Sequence, residues 1–289
     1  MFKPISSTAH FFRIHLRFVS INSGVDRHDA ACARLSAAPI CDYHTSEMTH
    51  LFSKLFALIA TSLGVMSVLA LTVSMTRLYP SFSVDAEPTS SPSVALAIDL
   101  GLLALFGLQH SGMARSSFKQ KLKHWLPMVP ERSIYVFASG LTTFLILFTW
   151  QPIAGVIWSF SSGPANWLLW SGFGLGQLFL LAALLALDPF ELLGLRQVGL
   201  LPAREDTFKL SWLHRRVRHP IYTGFILIFW MTPTMTAGHL LFSAGMTLYI
   251  RVGIYFEERD LLNRFPDEYK RYKSEVPMLL PRFTAKVSK

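Results

Sequence analysis

Residues 55–76 read LFALIATSLGVMSVLALTVSMT and contain no charged side chain. A helix needs about 20 apolar residues to cross the hydrocarbon core of a bilayer, so this stretch is long enough to span a membrane. The rest of the chain agrees, because 51% of its 289 residues are hydrophobic, 16% are charged and the mean hydropathy is +0.37. The composition excludes a disordered or collagen-like chain and predicts an integral membrane protein.

Four further apolar stretches follow along the chain. They are residues 94–114, 133–150, 167–187 and 221–250. The last is too long for one simple crossing, and its middle contains Pro233 and Gly238 among hydroxyl side chains, a combination that breaks a helix and satisfies the freed backbone groups. The pattern predicts an all-α integral membrane fold of five to six transmembrane helices, with a C-terminal helical hairpin and an amphipathic cytoplasmic tail.

Basic residues are concentrated in every second connection between the predicted spans. Residues 115–132 and 188–220 are rich in Lys and Arg, as is the tail after Arg251, whereas residues 77–93 and 151–166 carry little or no positive charge. Because Lys and Arg mark the cytoplasmic loops of membrane proteins, this alternation predicts that the basic connections and the tail face the cytoplasm. The net charge of +9 therefore indicates membrane orientation rather than nucleic-acid binding.

Residues 1–47 do not follow this pattern and are polar, with charges of both signs. We expect these residues to be a disordered extension, which could be a processed targeting segment, or an artefact of translation assigned from an upstream start codon. We place the transmembrane domain at residues 48–289. Both cysteines, Cys32 and Cys41, lie in this extension, so disulfide and cysteine-nucleophile chemistry is not expected in the domain. No metal site is predicted either, because His214 and His219 have no third ligand nearby in the sequence.

Two polar motifs flank the predicted hairpin. Residues 218–224 read RHPIYTG at its start, and Glu257 and Glu258 lie at its end. His219 and Glu257 are equally far along the chain from Gly238, so a turn at Gly238 brings both motifs to the same membrane level, facing each other. Paired ionisable groups at helix ends are candidates for a functional site, although Arg218 and the glutamates could instead mark the interface and pair with one another.

The tail after the hairpin has one apolar stripe at helical spacing. The stripe consists of Leu262, Phe265, Tyr269, Tyr272 and Val276. Pro266, with two acidic residues behind it, is typical of the first turn of a new helix. We interpret the segment as an amphipathic helix on an anionic membrane surface, and the same helix could also roof a pocket beside the hairpin.

Together these motifs resemble a known family. The RHPIYTG stretch, the Glu257-Glu258 pair and the tail aromatic residues are similar to the C-terminal signature of the integral membrane methyltransferases related to isoprenylcysteine carboxyl methyltransferase. A narrower resemblance, to the bacterial methanethiol S-methyltransferases, covers nearly the whole domain. Its motifs are residues 109–115, 131–135, 193–198 and 232–239. The resemblance implies a bacterial inner-membrane enzyme that uses S-adenosylmethionine to convert methanethiol to dimethyl sulfide, with membrane lipids as its other partners.

The resemblance also implies where the cofactor binds. We expect S-adenosylmethionine among five residues of the two hairpin motifs, and Gly224 would allow its close approach. These residues are His219, Tyr222, Gly224, Glu257 and Glu258. Its carboxylate would meet Arg218 or Arg251, between which spacing cannot choose. These residue types suit the ligand, which offers a carboxylate, an ammonium group, a ribose diol and an adenine ring.

Candidates for activating the thiol lie at the cytoplasmic ends of the second and third spans. Arg132 could favour the thiolate, and His110 or Tyr135 could take or relay its proton. Alternatively, His110 bonds a free helix-end carbonyl and Arg132 pairs with Glu131. The fourth candidate, Asp99, lies nearer the outer end, and we expect a polar contact rather than catalysis.

For Asp99 the expected partner is Thr142, Thr143 or another helix. His239, in the hairpin turn, lies too far from the cytoplasmic side to reach the methyl group. The glycines of residues 172–176 imitate a nucleotide-binding loop, but they lie within an apolar helix and more often allow close helix packing.

Two other functions stay open at this point. One is methyl transfer to a lipid-borne acceptor, such as an isoprenylcysteine carboxylate or a phospholipid amine. The other is a small membrane transporter or haem-associated protein, which would predict inverted repeats or polar residues at the bilayer midplane. Asp99 is the one residue of the spans that fits the latter pattern.

Overall fold

The computed structural model describes residues 39–126, 130–202 and 211–281. Within these ranges the chain is mostly helical, with one short two-stranded sheet. The elements are α1 (Pro39–Ser74), α2 (Pro92–Ala114), α3 (Ser116–Trp125), α4 (Glu131–Thr149), β1 (Val156–Ser159), α5 (Gly163–Ala186), α6 (Pro189–Leu192), α7 (Pro220–Trp230), β2 (Thr234–Thr236), α8 (Ala237–Arg264) and α9 (Pro266–Glu275). The predicted N-terminal extension falls mostly outside the described residues, and α1 already begins ahead of Met48.

Four helices of the described chain are long and apolar enough to cross a membrane. They lie within α1, α2, α4 and α5. Their surfaces carry many exposed large apolar side chains, as expected of helices that face lipid rather than water. The predicted all-α membrane fold is therefore confirmed.

The predicted hairpin is formed by α7 and α8. A non-helical segment that contains Pro233 and strand β2 separates the two helices, as the sequence predicts. Helix α8 has 28 residues, but α7 has only 11. At 1.5 Å per residue α7 is about half as long as the bilayer core is thick, so the count of six complete crossings stays a prediction.

Glycines let neighbouring helices approach closely where α7 packs against α5. A Cβ atom on Gly224 would lie 2.8 Å from Cβ of Leu180, and one on Gly176 would lie 3.1 Å from the Gly224 carbonyl oxygen. Gly172 likewise faces Met231, at 2.9 Å from its Cγ. Two of the three glycines in residues 172–176 therefore serve helix packing, as predicted.

The weakly charged connections meet at one end of the molecule. Strand β1, between α4 and α5, pairs antiparallel with β2 of the hairpin turn. Asp85, between α1 and α2, accepts a hydrogen bond from the Thr236 backbone at 3.0 Å, and its other oxygen lies 2.8 Å from Nδ1 of the buried His239. His239 thus lies at the end of the hairpin opposite His219, as predicted.

Asp99 makes a structural contact near the same end. Its Oδ1 accepts a hydrogen bond from the backbone N–H of Gln151 at 2.9 Å. The expected polar contact is confirmed, but the named partners were wrong, because Thr142 and Thr143 donate to carbonyls of their own helix, α4. Gln151 lies two residues beyond the end of α4, outside the helix, so its backbone N–H needs an acceptor from elsewhere.

Candidate active site

The two hairpin motifs meet at the base of the hairpin. Pro220 begins α7, which leaves Arg218 and His219 just ahead of the helix, and both are buried against the last turns of α8. Glu258 accepts a hydrogen bond from Nε of Arg218 at 2.8 Å, and its Oε1 lies 3.2 Å from Nε2 of His219. Nζ of Lys273, in α9, lies 2.8 Å from the other carboxylate oxygen of Glu258. The predicted facing of the two motifs is confirmed.

Glu258 is a carboxylate that three cationic or polar donors surround. Burial alone would raise its pKa, but hydrogen bonds with His219 and Lys273 and the positive charge of Arg218 outweigh it and hold the pKa well below its usual range. The side chain is only 5% exposed, so it stays ionised in a largely water-free setting. A buried carboxylate paired in this way fixes its neighbours in position.

Glu257 is more accessible than Glu258. Its side chain is 19% exposed, and its oxygens lie 3.6 Å from Nδ1 of His219 and 3.5 Å from the Tyr222 hydroxyl. Both separations exceed those of ordinary hydrogen bonds. The Tyr222 ring stacks on His219, with the ring centroids 5.7 Å apart. A carboxylate, an imidazole and a phenol are thus gathered around one partly open position.

The C-terminal tail covers this cluster. Pro266 begins α9, and Tyr269 packs with Leu261, Phe265 and Tyr272. Burial raises the pKa of the Tyr269 and Tyr272 hydroxyls, so both are neutral. The predicted stripe therefore packs back onto the end of α8.

Residues 276–279, which we call the strap, run alongside the start of α7. The backbone N–H groups of Arg218 and His219 donate to the carbonyls of Pro277 and Met278 at 2.9 and 3.2 Å. The hydroxyl of Thr223 donates to the carbonyl of Leu279 at 2.7 Å. Since Nη1 of Arg218 also donates to the Lys273 carbonyl at 3.0 Å, this guanidinium is engaged within the protein.

A second cluster lies where α2 and α4 meet. Nε2 of His110 lies 2.5 Å from the hydroxyl oxygen of Tyr135, and its Nδ1 lies 3.1 Å from the hydroxyl oxygen of Ser139. Both ring nitrogens therefore contact side chains, which disfavours the alternative that His110 bonds a helix-end carbonyl. The three polar groups form a continuous hydrogen-bonded chain from α2 into α4.

Arg132 borders this second cluster. It is 7% exposed, its Nε donates to the carbonyl of Leu192 at 2.5 Å, and its guanidinium carbon lies 5.7 Å from the centre of the Tyr135 ring. Glu131, the alternative partner, instead pairs with Lys123 at 3.2 Å. The positive charge of Arg132 is thus directed toward Tyr135 and away from the water-exposed rim.

The loop after α6 cradles Arg132. Gly194 has a φ of +84°, and a Cβ atom there would lie 3.1 Å from Cγ of Arg132 and 3.2 Å from the Ser133 hydroxyl oxygen. The sequence identifies residues 193–198 as a family motif, but it does not predict which residues this motif contacts. Only the fold reveals that this glycine makes room for the arginine.

Tyr249 was missed from the sequence. Its ring packs edge-on against Phe106 and His110, and its hydroxyl lies 3.1 Å from that of Ser111. Its apolar surroundings in the sequence are those of an ordinary core residue. Its spacing from Glu257, about two helical turns, does indicate that both residues lie on the same side of α8. Tyr249 connects the two clusters, because its ring contacts His110 while its own helix, α8, also carries Glu257.

Comparison with known proteins gives closely matching relatives. Methanethiol S-methyltransferase of Crocosphaera subtropica is 42% identical over 203 residues, which cover 69% of this chain and 80% of that protein. Methanethiol S-methyltransferase of Mycobacterium tuberculosis is 44% identical over 203 residues, covering 69% and 83%. The chain belongs to the methanethiol S-methyltransferase family.

More distant similarity extends beyond the methanethiol S-methyltransferase family. Nurim of Sus scrofa is 32% identical over 180 residues, which cover 58% of this chain and 68% of that protein. No family model and no solved structure matches the chain. The helices and the family name identify a membrane protein with transferase activity that requires a methyl donor.

In this family member the predicted site residues fall into the two clusters. Arg218, His219, Tyr222, Glu257 and Glu258 lie at the hairpin base, and His110, Arg132 and Tyr135 lie between α2 and α4. Gly224 was expected to allow close approach of the cofactor, whereas in the structure it allows α7 to approach α5 closely. Arg251 is exposed, and its guanidinium contacts the sulfur of Met278. Their roles in binding and catalysis stay predictions.

Proposed function

We propose that this protein transfers a methyl group from S-adenosylmethionine to methanethiol and releases dimethyl sulfide, at the cytoplasmic side of a bacterial inner membrane. The main support is the position of Tyr249, whose ring contacts the His110–Tyr135 pair suited to a thiol and whose helix also carries Glu257 of the carboxylate-rich cluster suited to the methyl donor. The names of the relatives support methanethiol as the acceptor. The basic connections support the cytoplasmic side.

The residues at the hairpin base fit S-adenosylmethionine. Glu257, with its 19% exposed side chain and long contacts, suits the ammonium group or the ribose diol. Lys273, 42% exposed beside Glu258, is a cation that could meet the carboxylate, a role for which the engaged Arg218 is less available. Tyr222 and His219 offer stacked rings for the adenine. When bound, the donor supplies an electrophilic methyl group on a sulfonium sulfur.

Tyr135 and His110 provide a route for the thiol proton. Transfer would form a bond between the acceptor sulfur and the methyl carbon, break the bond between that carbon and the sulfonium sulfur, and release the donor as a thioether together with the thiol proton. The proton passes to the Tyr135 hydroxyl oxygen, and Tyr135 gives its own proton to Nε2 of His110, 2.5 Å away. Ser139 then accepts a hydrogen bond from Nδ1 of the charged ring.

Arg132 stabilises negative charge in this step. Its guanidinium lies over the Tyr135 ring and is held by the Leu192 carbonyl, so it does not swing out to water. A fixed positive charge in a buried setting favours a thiolate or a developing tyrosinate more strongly than a solvated one. The surrounding apolar helices exclude water from the reaction.

The proposal is tested by measuring dimethyl sulfide in the headspace above purified protein in detergent with S-adenosylmethionine and methanethiol. We expect product that depends on both substrates and on intact protein. In parallel, a prenylated cysteine and a phospholipid amine replace methanethiol. Methylation of either lipid acceptor, without dimethyl sulfide from methanethiol, would overturn the proposal.

A further inference from the structure

Helix α8 contains a glycine that packing does not explain. Glycine within a helix costs about 1 kcal/mol relative to alanine, so its presence requires a reason. At Gly245 the reason is packing, because a Cβ atom there would lie 2.6 Å from Cδ1 of Leu103. At Gly253, among the residues that the structure describes, a Cβ atom would meet no side chain and no backbone of another element within 4 Å, so the described neighbouring helices do not require a glycine.

Gly253 lies between the two clusters of the candidate site. It follows Tyr249 by one helical turn and precedes Glu257 by one turn, so the three residues share one side of α8. Tyr249 contacts His110 and Ser111 of α2, whereas Glu257 contacts Tyr222 of α7. The bare backbone at Gly253 therefore leaves space between the thiol-side and donor-side groups.

We infer that Gly253 is a binding residue that admits the methyl donor, and that a side chain there would occupy part of the donor's space. The inference rests on the proposed function. Methyl transfer requires the reacting atoms to approach to about 3–3.5 Å, so even one additional methyl group between the clusters is disruptive. The rings of Tyr249 and Tyr222, one from each cluster, suit a sulfonium cation, because aromatic faces attract positive charge.

Other glycines of the described helices provide a comparison. A Cβ atom would also meet nothing within 4 Å at Gly101, Gly112 and Gly174. Gly112 lies close to the end of α2, where glycine costs little, and Gly101 is exposed on the same helix. Gly174 lies in the interior of α5 and is half-buried like Gly253. Unlike Gly253, it is not on α8, the helix that carries both Tyr249 and Glu257. It is therefore the matched control.

The experiment compares Gly253→Ala, Gly253→Leu and Gly174→Ala with the wild type. Two quantities are measured: the Tm of the ligand-free protein, and the Kd of radiolabelled S-adenosylmethionine by equilibrium dialysis. Because alanine favours a helix, both alanine variants should unfold at or above the wild-type Tm. We expect at least a tenfold higher Kd for Gly253→Ala, no measurable binding for Gly253→Leu and an unchanged Kd for Gly174→Ala.

Three results would overturn the inference. Wild-type affinity in both Gly253 variants would mean that the position faces lipid. A lower Tm for Gly253→Ala than for Gly174→Ala, together with weaker binding, would give Gly253 a packing role instead. Failure of the wild type to bind S-adenosylmethionine would overturn both the inference and the proposed function, whereas binding without dimethyl sulfide would overturn only the latter.

Discussion

Glu258 stabilises the hairpin base only while it is ionised. Its pKa lies below that of an unfolded glutamate, about 4.5, so its stabilising contribution is fully present above that pH and is lost as the pH falls through the lower folded value. Glu258→Gln would leave Arg218 and Lys273 without their counter-charge. Removing one partner from a buried ion pair costs about 3–5 kcal/mol.

We therefore predict that Glu258→Gln lowers Tm throughout the range from pH 8 to pH 5, and that the difference from wild type shrinks below about pH 4. The Tm difference is measured by thermal unfolding of both proteins in detergent from pH 8 to below pH 4. The control is Glu275→Gln, because the Glu275 side chain is 57% exposed and pairs with the surface residue Arg271. A difference that grows as the pH falls below about 4 would contradict the assigned ionisation of Glu258.

Tyr135 is the residue that we expect to receive the thiol proton. Tyr135→Phe removes the hydroxyl that contacts His110, so kcat at pH 7 should fall by about 100-fold or more. The deficit should narrow at pH 9, because more of the thiol is then ionised without a base. Dimethyl sulfide production against pH measures this, with Tyr255→Phe, at a 62% exposed position, as the control. A deficit that is the same at both pH values would exclude Tyr135 from proton transfer.

At the scale of an element, the loop that follows α6 offers a paired test of how Arg132 is positioned. Gly194 and Gly199 both have positive φ, so alanine is strained at either position by about 1–2 kcal/mol. Of the two, Gly194 is the position where the new Cβ atom would also press on Arg132, since no described residue lies within 4 Å of a Cβ atom at Gly199. We predict that both variants lower Tm, but that only Gly194→Ala lowers kcat. Equal kcat values for the two variants would mean that the cradle does not position Arg132.

The helices and the hairpin could be predicted because their signals are local. An uncharged run such as residues 55–76 and a breaker such as Pro233 act within their own segment, so the sequence shows them directly. The facing of His219 and Glu257 was predicted from their equal distance along the chain from Gly238. The packing of Gly224 against Leu180 and the contact of Tyr249 with His110 join separate helices, and only the fold determines which helices are neighbours.

At the scale of the whole molecule, the structure separates two ends. Asp85, β1 and the hairpin turn lie at one end, while His110 and Glu257 belong to the clusters at the other, beside the basic connections. Single cysteines placed in a variant that lacks the native ones report on which side of the membrane each end lies. The test positions are Glu87, whose side chain is 94% exposed, and the exposed residues Lys121 and Lys270.

We predict that a membrane-impermeant maleimide labels Glu87→Cys on intact cells, and labels Lys121→Cys and Lys270→Cys only after permeabilisation. Lys121 in α3 follows the helix that carries His110, and Lys270 in α9 follows the helix that carries Glu257. A thiol and a methyl donor can react only if those helices end on the same side, since an in-line transfer allows no separation by a bilayer. Labelling of Lys121→Cys and Lys270→Cys from opposite sides would therefore rule out a shared site, whatever the activity of the purified protein.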